Sequence, residues 1–192
     1  MKDNKKKLAL FVDYNNIWKS LDKTQKDFLN PLIDIINNYG IVVVGKMYIS
    51  VPKRTEYICN EKTEIFYKYF EKGIEPVFTP SFNGKSLGDP LLICDCMEIL
   101  YEKSEINMFV LVSSDKDIIP LIRQIAKKGK EILVIGVHSA SSEELINEVN
   151  RLGFKYIRLE DNIDTYKKSV NKKTKTDNLF IEGKVEIEPK KK

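Results

Sequence analysis

The sequence is poor in the residues on which several common catalytic sites depend. Its 192 residues include one histidine, His138, and three cysteines. With a single histidine, neither a Ser/His/Asp arrangement nor a Cys/His pair is a plausible catalytic apparatus. We expect His138, which follows a predicted strand, to be an ordinary loop residue, with a substrate contact as the alternative.

Cysteine usage also bears on the cellular compartment. An odd number of cysteines in a chain without features of secretion predicts reduced thiols and a cytoplasmic location. Cys94 and Cys96 lie two residues apart in a predicted helix. They are therefore separated by roughly 200° around the helix axis and are poorly placed to chelate one metal. We expect both to be core residues.

Long hydrophobic runs are missing as well. The longest apolar stretches, such as Leu8–Val12 and Ile41–Val44, are much too short to span a membrane. The N-terminal segment MKDNKKK leads directly into a predicted strand and contains no secretory hydrophobic region. We therefore expect no membrane partner.

The composition fits one folded domain followed by a tail. Hydrophobic residues make up 42% of the chain, which suffices for a core, and the net charge of +4 is compatible with a polyanionic partner. From about Asp161 the character changes. Lys167–Lys175 is basic and poor in apolar residues, which favours disorder. Leu179–Glu188 alternates weakly and fits a short hairpin or a docking strand.

Short apolar segments alternate with helical patterns along most of the chain. This alternation predicts an α/β fold: a three-layer, doubly wound, mainly parallel sheet of about five to six strands, of the Rossmann-like kind. A long helical stretch, with a break near Pro31, is expected between the first two strands. The predicted strands are Lys7–Val12, Ile41–Ile49, Ile74–Phe78, Met108–Val112 and Ile132–Val137, with Lys155–Leu159 as a sixth, edge strand.

Acidic residues follow the ends of two predicted strands. Asp13 ends the first strand, and Asp115 and Asp117 follow Met108–Val112 where it passes into a helix. Ligands of open α/β sheets bind at this carboxyl edge. Asp89, expected as the N-cap before Pro90, and Asp95 lie early in the helix that precedes that strand.

Each acid has a structural alternative when it is considered alone. Asp89 and Asp117 suit helix N-caps, and Asp95 suits a solvated helix face. Taken together, the five acids come from three chain regions and converge on one sheet edge. Clustered carboxylates repel each other unless a cation is present, and hard oxygen ligands suit Mg²⁺ or Mn²⁺ rather than zinc.

Three motifs carry a resemblance to a known family. FVDYNNI contains Asp13 and Asn16, KSLGDPLLICD contains Lys85, Asp89 and Asp95, and SSDKDIIPL begins at Ser113. In this order they resemble the NYN (LabA-like) branch of the PIN-like ribonucleases, over about residues 7–160. The resemblance implies a PIN-like nuclease domain at residues 1–160, with residues 161–192 as a basic C-terminal tail.

The resemblance further implies metal-dependent hydrolysis of RNA. Mg²⁺ or Mn²⁺ would be held by Asp13, Asp95 and Asp115, with Asp89 and Asp117 as further direct or water-mediated ligands. Asn16, and the hydroxyl of Ser113 or Ser114, would orient a ligand or the scissile phosphate. Ser114 stands where the family has glycine, and Lys116 where it has a small polar residue. These departures favour the alternative of a nucleic-acid-binding or regulatory module with weakened catalysis.

Binding of the RNA backbone is expected from basic residues around the acids. Lys53, Arg54 and Lys85 lie in predicted loops at the carboxyl edge, although ordinary surface charge explains them equally well. Tyr14, Phe82 and Trp18 are candidates for base stacking, with a core position favoured for Trp18. The sequence leaves open a homodimer and a protein partner for the C-terminal segment.

Two other classes of α/β protein fit less well. A phosphorylatable receiver domain needs an acidic pair after the first strand, whereas Asp13 stands alone there, and it needs an aspartate where Phe78-Thr79-Pro80 ends the third strand. A dinucleotide-binding fold needs glycines in the turn after the first strand. Asp13-Tyr14-Asn15-Asn16 contains none.

Overall fold

The computed structural model describes the backbone of residues 5–51, 61–82 and 85–182 and the side chains of residues 5–50, 66–81 and 86–170. Lys53 and Arg54, both predicted to bind substrate, lie outside the described residues. Lys85 is described through its backbone alone. Part of the predicted segment Leu179–Glu188 is also outside the description.

The strands form one sheet with the order β4-β3-β2-β1-β5-β6-β7. Every neighbouring pair is parallel except β3 and the short β4, which are antiparallel. The doubly wound, mainly parallel prediction is therefore confirmed, and β1 lies at its centre. The strands are β1 (Lys7–Asp13), β2 (Ile41–Val51), β3 (Glu75–Phe82), β4 (Lys85–Ser86), β5 (Met108–Val112), β6 (Glu131–Gly136) and β7 (Lys155–Arg158).

Helices cover both faces of this sheet. They are α1 (Tyr14–Ser20), α2 (Leu29–Asn37), α3 (Glu61–Glu71), α4 (Gly88–Glu102), α5 (Ile119–Lys127), α6 (Glu143–Arg151) and α7 (Leu159–Glu182). The long helix predicted between the first two strands is two helices, joined by a 3-10 turn at Lys23–Gln25. Among the described helices, none has the length and apolarity needed to cross a membrane.

Alternate residues of β1 enter two separate cores. Leu8, Leu10 and Val12 pack into the layer that contains α1 and α2, while Ala9 and Phe11 pack into the layer that contains α4 and α5. Because both faces are covered, an uninterrupted apolar strand is the expected sequence pattern. This burial fixes the register of β1, and with it the position of Asp13 at the carboxyl end of the strand.

Two predicted boundaries were wrong. Asp89 is not the N-cap of its helix, because α4 begins at Gly88 after the cap residue Leu87, and Asp89 lies in the first turn. The loop predicted after Phe78 is instead the continuation of β3, which pairs with β4. Of the two cysteines predicted to be buried, Cys96 is buried and Cys94 is exposed.

Residues 161–182 form most of α7, where composition favoured a disordered tail. Leu159 and Ile163 on its first turns are both 0% exposed and belong to the same core as α2. Two apolar residues four apart are enough to anchor a helix face, even though the surrounding sequence is polar. The compact part of the chain thus continues past residue 160.

Candidate functional site

Asp13 is the central acid of the carboxyl edge. It ends β1, caps α1, and accepts a hydrogen bond from the backbone N–H of Asn16 on Oδ1 at 3.1 Å. Only 8% of the residue is exposed. Burial raises the pKa of this carboxyl to about 7 against the lowering effect of the Asn16 N–H, and the nearby Asp89 and Asp115 raise it further. Asp13 is therefore close to half protonated at neutral pH.

Two further acids act on Asp13 from separate chain segments. Asp89 projects from the first turn of α4 and shares a side-chain hydrogen bond with Asp13. Burial raises the pKa of Asp89, and the negative charges of Asp115 and Asp117 add to this. The predicted meeting of acids from three chain regions therefore holds for Asp13, Asp89 and Asp115.

The Asp115 carboxylate is oriented by the turn after β5. Its Oδ1 accepts the backbone N–H of Asp117 at 3.0 Å, which makes Asp115 the N-cap of a 3-10 turn at Lys116–Ile118. The backbone N–H of Asp115 in turn donates to Ser113 Oγ at 3.2 Å. Asp117 is exposed at the rim of the site and is not the cap residue of this turn.

The acidic residues fit a hard divalent cation by their chemistry. All three carboxylates offer oxygen ligands, and a cation would offset the burial and the mutual repulsion that raise the pKa values of Asp13 and Asp89. Within the described part of the chain, no three potential ligands are gathered closely enough to form a ready-made metal site. A bound ion would therefore require small side-chain movements of these carboxylates.

Asp95 has different partners. Lys46 Nζ and Tyr48 OH of β2 both donate to Asp95 Oδ2, each at 2.8 Å. Asp95 is not among the acids that raise the pKa values of Asp13 and Asp89. Six residues along a helix correspond to a rotation of roughly 240°, so Asp89 and Asp95 leave α4 in different directions.

Two adjacent asparagines join the carboxyl ends of three strands. Asn15 Oδ1 accepts the backbone N–H of Ser50 at the end of β2, at 2.7 Å. Asn16 Oδ1 accepts the backbone N–H of Ser114 after β5, at 2.8 Å. Asn16 was predicted to orient substrate, whereas Asn15 was missed because its role depends on a partner 35 positions away.

The two predicted serine hydroxyls also have partners inside the protein. Ser113 Oγ accepts the Asp115 N–H described above, and Ser114 Oγ accepts the backbone N–H of Val137 at 2.9 Å. Ser114 Oγ also donates to the Val137 carbonyl at 3.4 Å. Both serines are buried, at 2% and 3% exposed. The Ser114 hydroxyl therefore holds the loop that carries Asp115 against Val137 after β6, while the Ser113 hydroxyl fixes the turn within that loop.

Lys19 is a basic residue beside the acids that sequence reasoning missed. It is exposed on α1, and its positive charge lowers the pKa of Asp89. Its signal in the sequence was its spacing, since positions 15, 16 and 19 share one face of a helix. Tyr14, a proposed stacking residue, is 6% exposed and stacks on Trp18 at a centroid distance of 5.6 Å on the core side of α1.

Comparison with known proteins shows which family this chain matches. A family model described as the NYN domain matches residues 7–157. An uncharacterised protein of Methanocaldococcus jannaschii is 24% identical over 178 residues, which are 93% of this chain and 65% of that protein. A small ribosomal subunit protein uS2 of Borrelia hermsii is 30% identical over 102 residues, 48% of this chain and 40% of that protein.

The fold also matches a solved structure. A crystal structure of a protein of unknown function from Vibrio parahaemolyticus aligns with a TM-score of 0.67 at 22% identity, and covers 84% of this chain and 98% of that one. The likeness at this identity concerns the fold alone. The chain spans less than two thirds of the length of the curated relatives named above, at 65% and 40%.

Proposed function

The chain belongs to the NYN domain family, which lies in the PIN-like nuclease superfamily, and from that premise we propose that it is a divalent-metal-dependent ribonuclease. It would hydrolyse phosphodiester bonds of RNA at the carboxyl edge of the sheet. The observation that carries the proposal is the Asp13 carboxyl, whose pKa is raised to about 7 by burial and, to a smaller extent, by the neighbouring Asp89 and Asp115. Capping α1 does not require an acid with a raised pKa, and active sites are where such perturbed acids concentrate.

Asp13, Asp89 and Asp115 are the residues that would hold Mg²⁺ or Mn²⁺, with Asp117 reaching the ion through water. When bound, such an ion lowers the pKa of a coordinated water and neutralises charge on the phosphate oxygens. Asp13 must release its proton for this, so ion affinity should rise with pH up to about 7. Asn16 holds the Asp115 loop in place, and Lys19 and Lys85 are proposed to contact the RNA backbone.

To hold the ion, Asp95 would have to give up its ion pair with Lys46. Its ion pair with Lys46 is partly buried, with 26% of the lysine and 15% of the aspartate side chain exposed. This pair is the observation that favours the second candidate function, a nucleic-acid-binding or regulatory module that has lost turnover. Asp95 as a metal ligand stays a prediction.

One cleavage experiment distinguishes the two proposed functions. Labelled single-stranded RNA is mixed with the purified chain and Mn²⁺, and in parallel with EDTA. We expect cleavage with Mn²⁺ alone and its loss in Asp13→Asn and Asp115→Asn. Asp34→Asn, the same substitution at an exposed position on α2, is the matched control. Binding of RNA without any metal-dependent cleavage would favour the second function.

RNA is the partner that this proposal requires. The cytoplasmic location, which depends on cysteine usage, stays a prediction. A homodimer and a protein partner for the C-terminal segment stay predictions as well. Size-exclusion chromatography with light scattering would measure the oligomeric state directly.

A further inference from the structure

A second group of charged residues lies at the same sheet edge, beyond the acids. β6 is followed by a 3-10 turn at His138–Ala140, and the neighbouring β7 ends at Arg158. The register Gly136↔Arg158 brings these two strand ends together. His138 Nε2 and Arg158 Nη2 are 3.2 Å apart, and both residues are exposed. The proposed reaction uses neither of them.

Hydrogen bonds connect the segment that carries His138 to the acidic cluster. Both hydrogen bonds of Ser114 Oγ go to Val137, the residue directly before His138. Ser114 itself directly precedes Asp115, so one short polar connection joins the Asp115 loop and the His138 turn. β5 and β7 are separated by β6, which places Arg158 about two strand spacings, roughly 10 Å, along the edge from β5.

The contact between His138 and Arg158 has an unusual donor and acceptor pattern. A guanidinium only donates hydrogen bonds, so a neutral imidazole must present its unprotonated Nε2 to it. Once His138 is protonated, both groups are donors with positive charge, and their direct contact becomes repulsive. A phosphate oxygen between them would then accept from both, and the planar guanidinium fork matches phosphate geometry.

The surrounding groups hold this turn in place. Glu160 Oε1 accepts the backbone N–H of His138 at 2.7 Å, while Glu160 Oε2 is buried without a hydrogen-bond partner among the described residues. The Tyr156 hydroxyl is paired with Ser141 Oγ at 2.6 Å. Glu160 therefore holds the turn that carries His138 through its backbone N–H.

We propose that His138 and Arg158 form a phosphate-binding site that holds an RNA phosphodiester next to the one bound at the acidic cluster. The proposal rests on the proposed function, since it takes RNA as the ligand. It makes both Arg158 and His138 substrate-binding residues.

The test measures binding without cleavage. A fluorescein-labelled single-stranded oligouridylate is titrated with the chain in EDTA, at several salt concentrations. We expect Arg158→Gln to weaken binding by about tenfold and to reduce the salt slope by about 0.7, the value for one phosphate contact on a single strand. His138→Gln should also weaken binding, because it removes one of the two groups that would contact the phosphate.

Lys127→Gln is the matched control. It removes one positive charge at the end of α5, at the opposite edge of the sheet, and should leave the affinity within about twofold. Arg158→Lys keeps the charge but loses the fork, and should bind between wild type and Arg158→Gln. Thermal unfolding of each variant checks that the fold is retained.

The outcomes separate the two proposals. If Arg158→Gln and His138→Gln both kept the wild-type affinity and salt slope, the phosphate site would be overturned, even where wild type cleaves RNA with Mn²⁺. If Arg158→Gln bound RNA more weakly than wild type, and wild type never cleaved RNA, the phosphate site would be supported and the nuclease function would be rejected. A wild-type chain that does not bind the oligouridylate would overturn both.

Discussion

Replacement of Asp13 by asparagine tests the central claim about the acidic cluster through stability instead of activity. Asparagine has the same shape, and its Oδ1 can still accept the backbone N–H of Asn16 that caps α1. The substitution therefore removes the ionisable group and little else. We expect the variant to be more stable than wild type at neutral pH in the absence of metal ions.

The size of the effect follows from the pKa of Asp13. It rises from 3.8 to about 7 on folding, and one pKa unit corresponds to about 1.4 kcal/mol. Between these values the folded chain binds more protons than the unfolded chain, so wild-type stability falls as pH rises through that window. Above about pH 7 the loss reaches on the order of 4 kcal/mol. This figure is an upper bound, since Asp89 shares the proton.

The assay is urea unfolding followed by circular dichroism at about pH 4.5 and about pH 8. The free energies of unfolding of variant and wild type should be similar at the lower pH and should differ by a few kcal/mol at the higher pH. In melting temperature the same difference is roughly 10 °C for a chain of this size. Asp34→Asn should show no such pH dependence, because Asp34 is exposed on α2.

Addition of Mg²⁺ should reduce the stability difference between variant and wild type at the higher pH. Wild type gains stability by binding the ion, by about 2.7 kcal/mol at a hundredfold excess over its dissociation constant, and the variant gains little. A variant that is less stable than wild type at about pH 8, or whose advantage is the same at both pH values, would show that Asp13 carries an ordinary ionised carboxylate. The reasoning that leads from burial to a metal site would then fail.

Three further predictions concern neighbouring parts of the molecule. Asp95→Asn should lower the free energy of unfolding in urea by about 1–3 kcal/mol, because it leaves Lys46 partly buried without its ion pair. If the variant still cleaves RNA, Asp95 is a structural residue. Ser114→Ala should cost about 1–2 kcal/mol, since Ser114 Oγ holds both polar backbone groups of Val137, and should lower the cleavage rate by displacing the neighbouring carboxylate. Ile163→Ala should cost about 2–5 kcal/mol if α7 packs into the core, whereas an unchanged urea midpoint would place this segment in a tail.

The central strands could be predicted because their sequence pattern indicates one kind of structure. The strand in Lys7–Val12 and the one in Met108–Val112 are apolar at every position beyond Lys7, a pattern that only a strand covered on both faces explains. The edge of the sheet was harder. β3 continues to Phe82 through Thr79 and Pro80, residues that signal a turn. Only Ser81 and Phe82 pair with β4, so at Pro80 the strand has a partner on the β2 side alone, where proline is tolerated as it is on an edge strand.

The C-terminal helix shows the limit of composition as a guide. Lys167–Lys175 has too few apolar residues to form a core of its own, and disorder was the natural prediction. α7 is instead anchored by Leu159 and Ile163, which lie before that basic stretch and pack beside α2. Two buried side chains at the beginning of α7 fix the position of the helix. The average composition of the segment does not reveal them.

At the site, the sequence predicts which edge a side chain reaches but not what it touches there. Asp13 and Asp115 follow adjacent parallel strands, so the alternation of strands and helices was enough to bring them together. Asp89 and Asp95 were predicted to join them from one helix, yet the rotation of about 240° between these positions turns Asp95 toward Lys46 and Tyr48 of β2. A carboxylate at a strand end is constrained to one edge of the sheet. On a helix, the direction of the side chain also depends on its angular position around the helix axis. Acids at strand ends are therefore the firmer predictions from sequence, and acids on helices need the packing of the helix before a ligand role can be given to them.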